Sequence, residues 1–121
     1  VNELFEKYRT QFETIDSVSF LGVQLSLSSA EHLKKLAHQL SAIHENSVVV
    51  LAAEVGGKAN IALALSESIA NSKEWQAPAI IKEKIAPLIK GGGGGQKTLA
   101  TAGGQDASQI QKAIQVIKEM L

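Results

Sequence analysis

Two groupings in this 121-residue sequence carry residue types that could do chemistry, and their spacing decides what each could do. His32, His38 and His44 recur at six-residue intervals, which invites a metal reading. On a helix a six-residue step turns through roughly 600°, so consecutive rings point about 120° apart. None forms the i, i+4 pair of a helical zinc site. The three read as solvent-facing residues, and no metal site is assigned. The second grouping, Gly91-Gly92-Gly93-Gly94-Gly95-Gln96-Lys97-Thr98, nearly spells a P-loop. Gln96 stands where that motif requires glycine, and the surrounding pattern reads helix, loop, strand. A P-loop needs strand, loop, helix, so that its amides and the helix dipole meet at the phosphates. Nucleotide hydrolysis is not supported. No Ser-His-Asp spacing or carboxylate pair stands out, Glu54 and Asp106 read as hairpin and N-cap residues, and no catalytic residue is assigned. The chain has no cysteine, which excludes disulfides, thiolate zinc sites and cysteine catalysis.

The glycine run still needs a cause. It lies between a helix ending at Leu88-Ile89 and a strand at Thr98–Thr101, both of which look buried. Glycine loses more entropy on ordering than any other residue. Five in a row therefore suggest an ordered or ligand-ordered loop rather than a spacer, with some φ angles above zero. Such a loop offers amides to phosphate without reading bases. The twelve basic and twelve acidic residues cancel, so no global field draws the chain to nucleic acid or membrane. Residues 1–72 hold five Lys/Arg against eight Asp/Glu, whereas residues 73–121 hold seven Lys against four acids. Any anion-binding surface belongs to the second part, with Lys82, Lys84, Lys90 and Lys97 around the glycines Gly91 to Gly95 and the second break at Gly103-Gly104.

The elements that must position these residues follow from periodicity. Val1, Phe5, Tyr8, Phe12 and Ile15 are spaced 4, 3, 4, 3, the a/d repeat of a coiled coil. Residues 2–15 thus read as a helix whose seam either pairs with a partner chain or folds back on the domain. A strand is expected over 17–27, with Gly22 as a bulge. Ser28 and Glu31 form a capping box that opens a helix to about residue 45. Val48–Leu51 is a continuous apolar run, and Gly56-Gly57 turns the chain into an alternating strand at 59–65. Residues 66–77 read as a polar connection. A helix starts at Pro78, and Pro87 should kink or tighten its last turn. A strand at 98–101 and a helix from about Asp106 to Leu121 complete the chain. The fold class is α/β, a single domain with a mixed sheet of about four strands covered by helices. Residues 1–15 are the end of a helical, coiled-coil-like linker, and 16–121 are the globular domain. With 45% hydrophobic and 20% charged residues the composition is that of a folded chain. There is no 18-residue apolar stretch. Val1 in place of Met reads as the start of a piece cut from a longer protein.

The stretch from Ile89 through Gly104, together with Val48–Ala52, the Gly56-Gly57-Lys58 turn and the preceding heptad, resembles the DHH-associated domain. The version it resembles is that at the C-terminus of alanyl-tRNA synthetases. The resemblance implies a non-catalytic tRNA-binding module that contacts the outer corner of tRNA, supports aminoacylation and editing, and aids dimerisation. It implies alanine-specific tRNA, the other domains of a parent synthetase and a second copy as partners, and a cytoplasmic location. ATP, Mg²⁺ and zinc are implied for the parent only, with no cofactor in this fragment. Taken with the charge and heptad patterns above, the tRNA-binding set is Lys82, Lys84, Lys90, Gly91, Gly92, Gly93, Gly94, Gly95, Lys97, Gly103 and Gly104, with Phe5, Tyr8, Phe12 and Ile15 as the dimerisation seam. The family usually has Arg-Pro-Asp where Gln96-Lys97-Thr98 stands, which removes a bidentate cation and leaves Lys97 as a point charge. Two alternatives stay open: the substrate domain of a DHH phosphoesterase, which usually has His in place of Gln96, and a pure dimerisation module.

Overall fold

The computed structural model describes residues 2–25 and 30–120, and side chains for 5–25 and 32–120. The first helix, α1 (Asn2–Tyr8), is shorter than the heptad suggests. Strand β1 (Glu13–Ile15) follows and pairs antiparallel with β2 (Val18–Leu25), Ile15 opposite Val18. Asp16 and Ser17 join them with φ of 49° and 70°, the two left-handed residues of a type I′ hairpin turn. The apolar spacing therefore belongs to two elements. Phe5, Tyr8 and Phe12 pack on one face of the sheet and Ile15 on the other. The seam folds back on its own domain. Helix α2 (Ala30–Ser41) comes next; the Ser28–Glu31 box and Val1 lie outside the described residues.

Strand β3 (Ser47–Val55) runs parallel to β2, and β4 (Lys58–Leu65) returns antiparallel through Gly56 and Gly57, at φ 61° and 79°. Gly22 pairs regularly with Val50, so it is not a bulge. Its lack of a side chain makes room for Ile114 and Phe20, which a Cβ would approach to 2.6 and 2.8 Å. The polar connection contains a short helix, α3 (Glu67–Ser72), capped by the Ser66 hydroxyl, which accepts from the Ile69 amide. Ser47 ties this region together: its Oγ donates to the Ser41 carbonyl at 2.8 Å, and its amide donates to Ser66 Oγ at 3.0 Å.

The next helix is interrupted. Between α4 (Ala77–Ile80) and α5 (Ala86–Ile89) lies a π-helical segment, Ile81–Ile85. The turn before Pro87 is thus widened, not tightened. Pro87 has no amide to donate and its ring crowds the carbonyl four residues back. The Ala86 amide reaches instead to the Ile81 carbonyl, five residues away, as in a π-bulge. Strands β5 (Gly91–Gln96) and β6 (Leu99–Gly104) form an antiparallel hairpin. A 3₁₀ turn (Ala107–Gln109) and α6 (Ile110–Glu119) follow.

The six strands lie in the order β1-β2-β3-β4-β6-β5, two more than expected, the additions being the edges β1 and β5. One face carries Phe20, Val48, Val50, Ile61, Leu63 and Ala102 against α3, α4, α5 and α6. The other carries Leu21, Val49, Leu51, Ala62 and Ala64 against Leu33, Leu36, Ala37 and Leu40 of α2. Residues Val48 to Ala53 are 0% exposed, as an apolar run covered on both sides must be.

The glycine run is the principal departure from expectation. It is an edge strand paired in continuous register, Gly91 opposite Gly104 through Gln96 opposite Leu99, and not a loop. Only Gly95 has a positive φ, 157°. A Cβ on Gly91 or Gly93 would run into the carbonyls of Gly103 and Thr101, and one on Gly95 would lie 2.5 Å from the Leu99 carbonyl. On Gly92 or Gly94 it would meet nothing within 4 Å. Single alanine substitutions should therefore alternate. Gly91→Ala, Gly93→Ala and Gly95→Ala should each destabilise by about 1–3 kcal/mol through overpacking. Gly92→Ala and Gly94→Ala should be neutral, or stabilise by up to about 1 kcal/mol by stiffening the unfolded chain. Thermal melts of the five variants check this, and five equal melting temperatures would refute it.

Candidate nucleic-acid interface

Residues opposite one another in an antiparallel ladder share a face. Asn60, Gly103 and Gly92 therefore form one row across β4, β6 and β5; Ala62, Thr101 and Gly94 form the next, and Ala64, Leu99 and Gln96 the third. This is the α2 side of the sheet. Ala62 and Ala64 are buried under α2, and Leu99 packs half-buried at the border of that cluster. Beyond it the rows run out to Gly92, Gly94 and Gln96, of which Gly92 and Gln96 are exposed. A shallow cavity of about 250 Å³ fills the corner where the helix meets this floor, lined by Leu33, Lys34, Asn60, Thr101 and Gly103 among others. The result is a step: α2 forms the riser, and a flat backbone surface with almost no side chains forms the tread.

The structure splits the lysines named from sequence. Lys90 and Lys97 bracket β5 at its two ends, about 20 Å apart at the usual rise per residue. The Lys97 ammonium donates to Asn71 Oδ1 at 2.8 Å, holding it near the β5–β6 turn. Lys82 and Lys84 are exposed on the π segment, whose Ile81 and Ile85 are buried on the opposite face of the sheet. They belong to a different surface from the glycine floor. Gly104 is a packing residue, since a Cβ there would strike the Ile89 carbonyl. The sequence reading missed Lys34 and Lys58, which flank the floor from α2 and from the start of β4. Lys58 carried a signal in its place directly after Gly56-Gly57. Lys34 looked like any residue of a polar helix flank.

Asp106 sits beside this region. Its carboxylate accepts from the Ser108 amide at 3.0 Å and from the Ser108 hydroxyl. Those bonds, the side-chain one first, with Lys90 nearby, hold its pKa below the ordinary 3.8. Of the histidines, His32 and His38 are exposed on α2, and His44 meets the Phe12 ring edge-on at 4.7 Å. Among the described residues no three His, Asp or Glu side chains gather in a way that could hold a metal ion, and no helix is long and apolar enough to cross a membrane.

The sequence profile of the DHHA1 domain matches residues 18–121. The chain belongs to the DHHA1 domain family. Within that family it is 33% identical over 109 residues to an alanine–tRNA ligase of Cytophaga hutchinsonii and 38% identical over 109 residues to one of Trichodesmium erythraeum. Each alignment takes in 90% of this chain and 12% of the relative. This DHHA1 chain thus spans about an eighth of the curated relatives it matches. Among solved structures, the C-Ala domain of Aquifex aeolicus alanyl-tRNA synthetase superposes with a TM-score of 0.81 at 29% identity. The match covers 91% of this chain and 96% of that one, so the two share one fold over most of their length.

The Asp106 geometry makes a pH prediction. A carboxylate whose folded pKa is depressed stabilises the fold above its unfolded pKa, and that stability is lost as pH falls through the folded value. Asp106→Ala should therefore melt below the parent chain at pH 7. The gap should close as pH is lowered from about 4 toward 2. Paired melts across that range test it; a gap that persists at the acid end would assign the effect to something other than the carboxylate charge.

Proposed function

We propose that this chain is the tRNA-binding C-terminal domain of an alanyl-tRNA synthetase. In this reading it holds the outer corner of tRNA and so supports aminoacylation and editing by the parent enzyme. The observation that carries the proposal is the match of most of this chain to the C-Ala domain of an alanyl-tRNA synthetase. The floor supplies the physical counterpart. Gly92 and Gly94 have room for a side chain and carry none, which suits a surface that another backbone approaches closely. A formally neutral domain with a few flanking lysines should bind RNA by shape and by neutralising a small number of phosphates.

The relatives at 33% and 38% identity, both named alanine–tRNA ligase, favour this reading over a phosphoesterase substrate domain. A second chain pairing on the Phe5–Tyr8–Phe12 seam would have to displace contacts those rings already make with the α2 side of the core; dimerisation is proposed only as a subsidiary role. The parent's ATP, Mg²⁺, zinc and alanine sites would lie outside these residues, and a cytoplasmic location goes with the same proposal.

Titration of labelled alanine tRNA into the chain at several salt concentrations should give a log–log slope of about −2 to −3, as expected if roughly three phosphates are neutralised. Gly94→Glu should leave the melting temperature within a few degrees of the parent and weaken tRNA binding at least tenfold, by placing a carboxylate on the floor. Lys97→Gln should reduce the slope by about one. Salt-independent binding, or a Gly94→Glu variant that binds as the parent does, would sink the assignment of this face.

A further inference from the structure

The strongest unassigned feature is a cavity of about 400 Å³ at the end of the sheet where the β3–β4 turn approaches the start of β5. Lys58 and Lys90 both line it, together with Asn60, Gly91, Gly103 and Gly104. Thirty-two residues apart in sequence, the two lysines are brought together only by the pairing of β4 with β6 and of β6 with β5. Among the described residues neither has a carboxylate within 4 Å. Lys90 lies near enough to Asp106 to help lower that carboxyl's pKa, and Asp106 Oδ1 is engaged by Ser108. Among the described residues the lining thus carries two cations and no carboxylate, with a third polar donor in the side-chain amide of Asn60, which turns toward the Lys58 carbonyl at 3.3 Å.

Lys90 is held at a cost. It caps α5 in the left-handed conformation, φ 55° and ψ 54°, where glycine is the usual residue and a side chain is strained. Five glycines follow it immediately, yet the strained position is filled by lysine. The Lys90 side chain is exposed, so burial does not explain that choice. A residue held in a sparsely populated backbone region at the wall of a cavity is a feature from which function can be argued.

We infer that this cavity binds one phosphate group, gripped between the Lys58 and Lys90 ammoniums with Asn60 as a third donor. Lysine suits a compact anion as a rotatable point charge, and the volume, a dozen or so times the share of one water, leaves space for hydration. The proposal takes the phosphate to be a phosphodiester of the RNA strand crossing the adjacent floor, and in that respect it rests on the tRNA-binding reading.

The test uses the 121-residue chain with Lys58→Gln, Lys90→Gln, the double substitution, and Lys90→Gly. Each glutamine variant should weaken tRNA binding about three- to tenfold and reduce the salt slope by about 0.9. The double variant should lose little more than either single one, because both lysines serve the same phosphate. Lys90→Gly should melt higher than the parent, relieved of strain, while binding tRNA as weakly as Lys90→Gln; that pairing separates binding from folding. In parallel, inorganic phosphate should shift the amide resonances of Lys58, Lys90, Gly91 and Gly103 saturably in the parent and not in the double variant. If tRNA fails to bind but phosphate titrates these amides, the site stands with free phosphate compounds as its ligand, and only the RNA reading falls. If the double variant binds tRNA as the parent does, or phosphate moves these amides no more than chloride does, the site is overturned and the tRNA reading survives.

Discussion

Strand β3 has no face to give to water, and the rest of the architecture answers that constraint. Its residues Val48 to Ala53 are wholly buried, so helices must cover both sides of the sheet. On one side the segments from Glu67 to Ile89 and from Ile110 to Glu119 do so across most of its width. On the other side the chain supplies chiefly α2, with α1 beside it. A helix is about 10 Å across and strands are about 4.8 Å apart, so one helix roofs two or three strands of six. α2 is placed over β3 and β4, where Val49, Leu51, Ala62 and Ala64 need it, and its side reaches β6. The outermost strand β5, and β6 toward Gly103, are left open on that side. The open floor is thus what remains of the sheet once its core has been covered.

That bare region must then avoid being a hydrophobic patch, and the composition of β5 solves this. With glycine at five of its six positions it exposes backbone but almost no apolar surface. The two sets of glycines have different causes. Gly91, Gly93 and Gly95 are required because β6 lies too close for a Cβ, and Gly93 also faces Ile81 beneath the sheet. Gly92 and Gly94 point to the open side, where packing imposes nothing. Alternation of side-chain direction along a strand separates the glycines that packing requires from those it does not, in a sequence where all five look alike.

The same alternation explains what could be read in advance. The continuous apolar run at 48–51, the Gly56-Gly57 turn and the alternating 59–65 segment specify β3 and β4, because their side chains alone carry the burial pattern. The fold class followed from them. β5 was illegible as a strand, since glycine carries no hydrophobic alternation and has low strand propensity; its identity resides in hydrogen bonds to β6. β1 was hidden differently. Ile15 continues the a/d spacing of Phe5, Tyr8 and Phe12 by coincidence, and the Asp16-Ser17 turn adopts two left-handed residues without the glycine that usually announces one. At the site, the sequence pointed to the glycines and to Lys90 and Lys97. It could not show that Lys82 and Lys84 fall on the far side of the sheet, or that Lys34 and Lys58 join the near side. Those placements depend on strand order, and β6 lying between β4 and β5 is a non-local fact.

An exposed edge strand with free amides and carbonyls is also a template for pairing with another chain. β5 has none of the usual protections within its span: no proline, no bulge, no charge. Its ends supply them. Lys90 and Lys97 stand at either terminus, so two copies brought together antiparallel along β5 would set like charges opposite each other at both ends. The poly-glycine backbone would also lose much entropy for little side-chain contact. A negatively charged strand meets neither obstacle, because the flanking lysines then attract and the bare floor admits its backbone. The features that discourage self-pairing at this edge are thus electrostatically the ones that favour a polyanion there, even in a chain of zero net charge.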